Sequence, residues 1–235
     1  RYLCFSLFLI RSFMIITIDG PAGTGKSSVA KRLAEVLGFH YFDTGALYRA
    51  FTWVILKKKV SFLDIETIKI LLEKFHFQTK TKDGVDSFFV DNEDVTESIR
   101  SDLVTEAVSK ASALKIIRDV LTEIQINHAN KGNTILEGRD LGTVVFPRAD
   151  YKFFLTASKE IRAMRRLREN QHLFPDKAKT FSLKKTLKNI EKRDYFDSHR
   201  TVAPLKKAKD AVLIDTSNFS IEEVVTLIRG HLKDL

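Results

Sequence analysis

The run Gly20-Pro21-Ala22-Gly23-Thr24-Gly25-Lys26-Ser27 satisfies the pattern G-x-x-x-x-G-K-[ST] and directly follows the apolar stretch Ile15-Ile16-Thr17-Ile18. That order predicts a buried strand, a glycine loop and then a helix. In such a loop the glycines let backbone N–H groups converge on phosphate oxygens. Lys26 reaches the outer phosphates, the Ser27 hydroxyl is placed to bind a magnesium ion, and Ser28 enters a helix whose N-terminal dipole favours anions. A plain glycine turn is the competing reading, and the flanking strand and helix argue against it.

Two further clusters sit where strands end. Asp43-Thr44-Gly45 follows the short apolar run Phe39-His40-Tyr41-Phe42, with Tyr48 and Arg49 one turn into the next helix; Glu137-Gly138-Arg139-Asp140 follows Thr134-Ile135-Leu136. Ligands of open α/β sheets bind outside the carboxyl ends of the strands, so adjacent strands would bring all three groups to one cleft. Taken singly, each has a plain structural reading: Asp43 as a helix cap, Arg49 as a surface residue, Gly138 as a turn. Arg193, Asp197 and Arg200 are spaced i, i+4, i+7, on one helical face. They form either a surface ion-pair ladder or two arginines gripping phosphate while Asp197 meets a base. Upstream, Arg162, Arg165, Arg166 and Arg168 precede Asn170 and Pro175, as if a basic helix opened into a mobile flap.

The elements that must position these residues follow from periodicity. Val29, Ala30, Leu33, Ala34 and Leu37 recur at helical spacing and stop at Gly38, a good C-cap. Phe75 to Thr79 and Ser87 to Val90 predict short strands joined across Asp83-Gly84, an inserted antiparallel piece. Residues 98–129 are helical in pattern, Lys131-Gly132-Asn133 breaks them, and strands follow at Thr134 to Glu137, Tyr151 to Leu155 and Ala211 to Asp215 before a last helix from Ser220 to Leu232. Five strands in βα alternation imply an α/β fold, a mainly parallel sheet covered by helices.

Composition sets the bounds. With 235 residues, 44% of them hydrophobic and 29% charged, the chain suits one compact unit with mobile lobes. Cys4 is the single cysteine, so no internal disulfide forms, and no Cys/His cluster has metal-site spacing; a reducing cytoplasm fits. The net charge of +9 is concentrated, with 16 Lys and Arg against 6 Asp and Glu between Lys159 and Lys209. Such a stretch can attract nucleic acid, cradle the charges of two nucleotides, or be solvated helix surface at Lys177, Lys179, Lys184, Lys185 and Lys188. No RNA-reading aromatic motif or zinc finger accompanies it. The apolar run from Leu3 to Ile10 is too short for a membrane span and lacks a signal-cleavage site, so residues 1–13 are expected to be an extension upstream of a start at Met14.

The loop Gly20 to Lys26, the run Asp43-Thr44-Gly45-Ala46-Leu47-Tyr48-Arg49, the run Glu137-Gly138-Arg139-Asp140-Leu141-Gly142-Thr143-Val144-Val145-Phe146-Pro147, and Arg193-Asp194 with Arg200-Thr201-Val202-Ala203-Pro204-Leu205 together resemble the bacterial cytidylate kinase family. The likeness covers Met14 to Leu235, and the run from Gly138 to Pro147 is far more specific than the loop. It implies a P-loop NTPase three-layer fold with a five-stranded sheet, an enlarged monophosphate-binding lobe at about residues 44–109, a short lid at about 161–179, and a core of 14–43, 110–160 and 180–235. It also implies transfer of the γ-phosphoryl group of ATP to CMP or dCMP with magnesium. Apart from the resemblance, a cytoplasmic protein without nucleic-acid or membrane partners is expected from the composition and motifs above, and a monomer because no long exposed apolar helix or strand is evident. Another monophosphate kinase, for UMP, AMP or dTMP, and a nucleic-acid-binding ATPase are the alternatives.

Residue by residue, the resemblance implies that Thr44, Tyr48, Arg49, Arg139 and Asp140 contact CMP, that Ser109 and Asp197 address the cytosine, and that Arg118, Arg193 and Arg200 add phosphate or sugar contacts. Gly20 through Ser28 and Arg165 would hold ATP, and Lys26, Arg139, Arg193 and Arg200 would carry catalysis. Thr44 stands where the family often has serine and Glu137 where it often has aspartate, and both keep the functional group. A CMP phosphate oxygen is already largely ionised near neutral pH, so no general base is needed; cations and aimed N–H groups supply the rate. Lys26→Ala or Arg139→Ala is therefore expected to nearly abolish turnover while leaving the fold intact.

Overall fold

The computed structural model describes residues 13–232. The expected N-terminal extension, with Cys4 and the apolar run, lies outside them except for Phe13. In chain order the strands are β1 (Ile15–Asp19), β2 (His40–Asp43), β3 (Phe77–Lys82), β4 (Val85–Val90), β5 (Glu93–Asp94), β6 (Thr134–Gly138), β7 (Tyr151–Thr156) and β8 (Val212–Asp215). The helices are α1 (Lys26–Leu37), α2 (Thr44–Lys57), α3 (Ile65–Glu73), α4 (Asp102–Ala113), α5 (Lys115–Ala129), α6 (Lys159–Leu173), α7 (Leu183–His199) and α8 (Ile221–His231).

Five strands form one sheet in the order β2-β6-β1-β7-β8, and every pairing in it is parallel. Successive side chains of a strand face opposite ways. Ile135 thus packs into a core with Ile16, Ile18, Val29, Leu33 and Val225, whereas Leu136 packs into another with Leu47, Phe51, Ile117 and Leu121. Helices α1 and α8 cover one face, and α2, α3 and α5 the other, which is the expected three-layer arrangement. The inserted piece is a small antiparallel sheet, β3-β4-β5, whose hairpin turns at Asp83 and Gly84 with φ of 51° and 74°.

Local chemistry sets the helix ends. Gly38 closes α1 in the left-handed conformation at φ 66°, and the Asp43 carboxylate opens α2 by accepting the Ala46 N–H at 2.8 Å. The helical stretch expected over 98–129 is divided: a short turn at Ser98–Arg100 precedes α4, and Leu114 stands extended between α4 and α5. Leu114 packs its side chain against the core there, and no glycine or proline announces the break. Helix α6 runs on to Leu173, so much of the segment expected as a loose flap is helical.

Candidate active site

The carboxyl ends of β1, β6 and β2 stand side by side, and the segments leaving them wall one cleft of about 670 Å³. Ala22, Gly23, Gly25, Lys26, Ser27 and Ser28 line it from the loop after β1, and Thr44, Tyr48 and Arg49 from α2. Arg139 and Asp140 enter after β6, Ser109 and Arg118 from α4 and α5, and Arg193, Asp197 and Arg200 from α7 and its C-terminal boundary. Lys26 and Arg139, named from segments more than a hundred residues apart, share this cavity. Gly20, Pro21 and Thr24 support the loop instead of facing the cleft. A β-carbon on Gly20 would stand 2.1 Å from the Leu155 carbonyl oxygen, and the Pro21 carbonyl accepts from Lys26 Nζ at 2.7 Å and Thr24 Oγ1 at 3.2 Å.

Arg165 lies beside the loop. Its guanidinium donates to the Thr216 hydroxyl at 2.9 Å and carbonyl at 2.7 Å, and that hydroxyl donates to the Thr24 carbonyl at 3.0 Å. Arg193, Asp197 and Arg200 do not share a simple helical face, because α7 ends at His199 and Arg200 leaves it in an extended conformation. Arg193 reaches Asp197 at 3.8 Å; Arg200 instead donates to Asp140 at 3.0 Å and to Ser112 at 3.1 Å. Arg118 contacts the other oxygen of Asp140, so this carboxylate lies between two buried guanidiniums. The lysines Lys177, Lys179, Lys184 and Lys188 are exposed and away from the cleft, in line with solvated surface, whereas Lys185, also exposed, lines the cleft.

The cleft gathers more positive charge than it neutralises. Burial pushes the Lys26 ammonium down to about 7, reinforced by Arg139. Burial also lowers Arg193 to about 10, with Arg139 adding repulsion, and lowers Arg49 well below its ordinary range with help from Arg193 and Arg166. A site that holds several cations out of water is electrostatically incomplete, and a polyanion would complete it. At one end, Ser109 Oγ donates to Asp197 Oδ1 at 3.4 Å and Arg139 Nε to Asp197 Oδ2 at 3.2 Å. Burial raises the Asp197 carboxyl, yet Arg193, Arg139 and Arg200 outweigh that and keep it below the ordinary range.

At the other end, Ser27 Oγ donates to Glu137 Oε1 at 2.6 Å. Burial and the nearby charge of Glu137 raise the Asp43 carboxyl. Two crowded carboxylates and a hydroxyl are hard oxygen donors whose mutual repulsion a divalent cation would relieve, so these residues fit magnesium. No cluster of three or more His, Cys, Asp and Glu that could hold a metal ion occurs among the described residues.

Several residues of the site carried no signal of their own role. Glu137 and Asp194 stood in recognised runs without a partner, and Arg162 was one of four arginines in a basic helix. Arg162 Nη1 bonds the Ala22 carbonyl at 3.1 Å, across 140 positions, and the Ala22 N–H bonds Asp194 at 3.4 Å, across 172. Lys31 on α1 pairs with Asp86 on the inserted hairpin at 2.6 Å, and local spacing cannot announce such a contact either.

A family model described as cytidylate kinase matches residues 16–233. The cytidylate kinase of Protochlamydia amoebophila (strain UWE25) is 50% identical over 212 residues, which is 90% of this chain and 93% of the relative. That of Clostridium botulinum (strain Langeland / NCTC 10281 / Type F) is 44% identical over 218 residues, 93% of this chain and 97% of the relative. Among solved structures, an uncharacterized protein from Eubacterium ventriosum ATCC 27560 aligns with a TM-score of 0.50 at 14% identity, covering 94% of this chain and 99% of its own, which speaks to the fold alone. With the phosphate loop and the arginine-lined pocket in one cleft, and a family match spanning nearly every described residue, this chain belongs to the cytidylate kinase family.

Proposed function

We propose that the protein transfers the γ-phosphoryl group of ATP to CMP or dCMP, giving ADP and CDP or dCDP. The observation that carries this reading is the common cleft of Lys26 and Arg139. In the transfer an oxygen of the CMP phosphate attacks the γ-phosphorus, and the bond to the β–γ bridging oxygen breaks. That acceptor oxygen is already ionised near neutral pH, so the chain's task is to hold two polyanions in line against their repulsion. Lys26 and the N–H groups from Gly23 to Ser28 bind the triphosphate. Arg139, Arg193 and Arg200 meet the charge of the transferring group, and Thr44, Tyr48, Arg49, Arg118 and Asp140 hold the monophosphate. Arg165, tied to Thr216, borders the donor nucleotide.

Ser27 with Glu137 would hold magnesium, which supplies charge neutralisation at the β- and γ-phosphates when bound. Asp197 and Ser109 account for cytosine. An ionised carboxylate only accepts hydrogen bonds, so Asp197 suits the exocyclic amino group of cytosine and repels the carbonyl oxygen that uracil carries there. The inserted lobe and the segment at about 161–179 are the parts that close over the nucleotides to exclude water. No helix among the described residues is long and apolar enough to cross a membrane. We place the enzyme in the cytoplasm as a monomer, acting on small molecules and not on nucleic acid.

The test measures ADP released from ATP and magnesium with CMP, dCMP, UMP, AMP, dTMP and RNA in turn. Turnover with CMP and dCMP well above the others is expected. Stimulation by RNA alone, or by AMP or dTMP in preference to CMP, would overturn the assignment.

A further inference from the structure

Arg162 and Asp194 hold no place among the substrate contacts above, yet both meet the phosphate loop at one residue. Arg162 Nη1 donates to the Ala22 carbonyl at 3.1 Å and to Asp194 Oδ2 at 2.5 Å, while its Nε donates to the Ala157 carbonyl at 3.1 Å. The second Asp194 oxygen accepts the Ala22 N–H at 3.4 Å. The Arg162 side chain is only 5% exposed, so these bonds replace its water. Gly23 leaves no room for slippage: a β-carbon there would stand 2.8 Å from the Arg162 carbonyl oxygen and 3.1 Å from its own β-carbon. Helix α6 therefore rests directly on the loop's corner.

We infer that Arg162 and Asp194 are positioning residues for phosphoryl transfer. Their ion pair joins α6 to α7 and clamps Ala22 from both its N–H and its carbonyl, so the loop's phosphate-facing amides keep a fixed place relative to Arg166 on α6 and Arg193 on α7. Neither touches substrate in this account. In-line transfer between two bound nucleotides tolerates little error, and a displacement of about 1 Å can cost about a hundredfold in rate. A buried ion pair is by itself weak grounds for stability, so the brace is argued from its attachment to the loop and not from its strength.

The inference rests on the kinase reading, and wild-type turnover with CMP, measured in the same assay, tells failure of that reading from failure of the brace. Asp194→Asn, Arg162→Lys and the double variant are made in the full chain and assayed at a temperature where circular dichroism finds each folded. Each single change is expected to lower kcat by about tenfold or more while KM for CMP stays within about twofold. The double variant should fall no further than the worse single, because both residues act through one contact. Amide exchange from residue 20 to residue 28 should quicken in each. If Asp194→Asn does not fold, Arg162→Lys carries the test alone, since lysine keeps a cation beside Asp194 but cannot span three acceptors as a guanidinium does. Wild-type kcat per folded molecule, additive losses, or unchanged loop exchange would each overturn the brace.

Discussion

Ser27 Oγ lies 2.6 Å from Glu137 Oε1, a hydrogen bond between the phosphate loop and the strand that pairs with β1, across 110 positions of sequence. The strand register explains it: Ile18 of β1 stands opposite Glu137 of β6, so the loop leaving β1 folds back over the end of its neighbour.

Glu137→Gln keeps the shape of that contact and removes a charge. If Glu137 helps to hold magnesium, the concentration of magnesium giving half-maximal rate should rise by about 10- to 100-fold. The same change should not harm stability, because the Glu137 charge is one of the causes that raise Asp43. Magnesium titration of the rate and thermal melts of the free protein check both parts. An unchanged magnesium requirement sinks the assignment.

Lys26 yields a pH signature. Burial and then Arg139 bring it from 10.5 down to about 7, so at pH 8.5 the free enzyme carries it neutral. A bound triphosphate restores the charge, and ATP binding at pH 8.5 should take up about one proton, with affinity weakening as pH rises above 7. Folding of the free chain carries the opposite sign: between about 7 and 10.5 the unfolded state binds the extra proton, so this residue makes stability rise with pH while ATP affinity falls. Calorimetry of ATP binding in buffers of different ionisation enthalpy measures the uptake, and Lys26→Met should abolish it. Proton release in the wild type would contradict the account.

The parts legible in the sequence were those whose signal is local. The loop from Gly20 to Ser27, the apolar run that predicted a strand at Thr134 to Glu137, and the turn at Asp83-Gly84 are each fixed by neighbours within a few residues. The order β2-β6-β1-β7-β8 was not legible, since parallel pairing joins segments far apart in the chain. Arg162 illustrates the other limit. In a run with Arg165, Arg166 and Arg168 nothing local distinguishes the buried arginine, and only its partners Ala22, Ala157 and Asp194 do so. Leu114 ended a helix without glycine or proline because tertiary packing outweighed a periodic pattern that continued through it.

Asp140 separates a structural from a catalytic loss. Burial raises its carboxyl even though Arg118 and Arg200 pull the other way, and both guanidiniums are themselves largely out of solvent. Asp140→Ala leaves those two cations uncompensated and should cost about 3 to 5 kcal/mol in urea unfolding. CMP should restore part of that stability, because its phosphate supplies the missing negative charge. A variant as stable as wild type would mean that water reaches the two arginines.

Lys31 and Asp86 couple the core to the inserted lobe. The bond is 2.6 Å, with side chains 27% and 12% exposed, and Gly84, Val85, Asp86 and Phe88 of the same hairpin line the cleft. A partly screened pair is worth about 0.5 to 1 kcal/mol, too little to hold the lobe shut and enough to bias it. Asp86→Asn should therefore leave the melting temperature nearly unchanged while quickening amide exchange across residues 77–90 by a few-fold in the free enzyme. With ATP and CMP bound, wild type and variant should converge, because the nucleotides then hold the lobe. Equal exchange in the two free proteins would mean that packing of Phe77 and Phe88 against Phe42 and Phe75, not the ion pair, sets the hairpin's position.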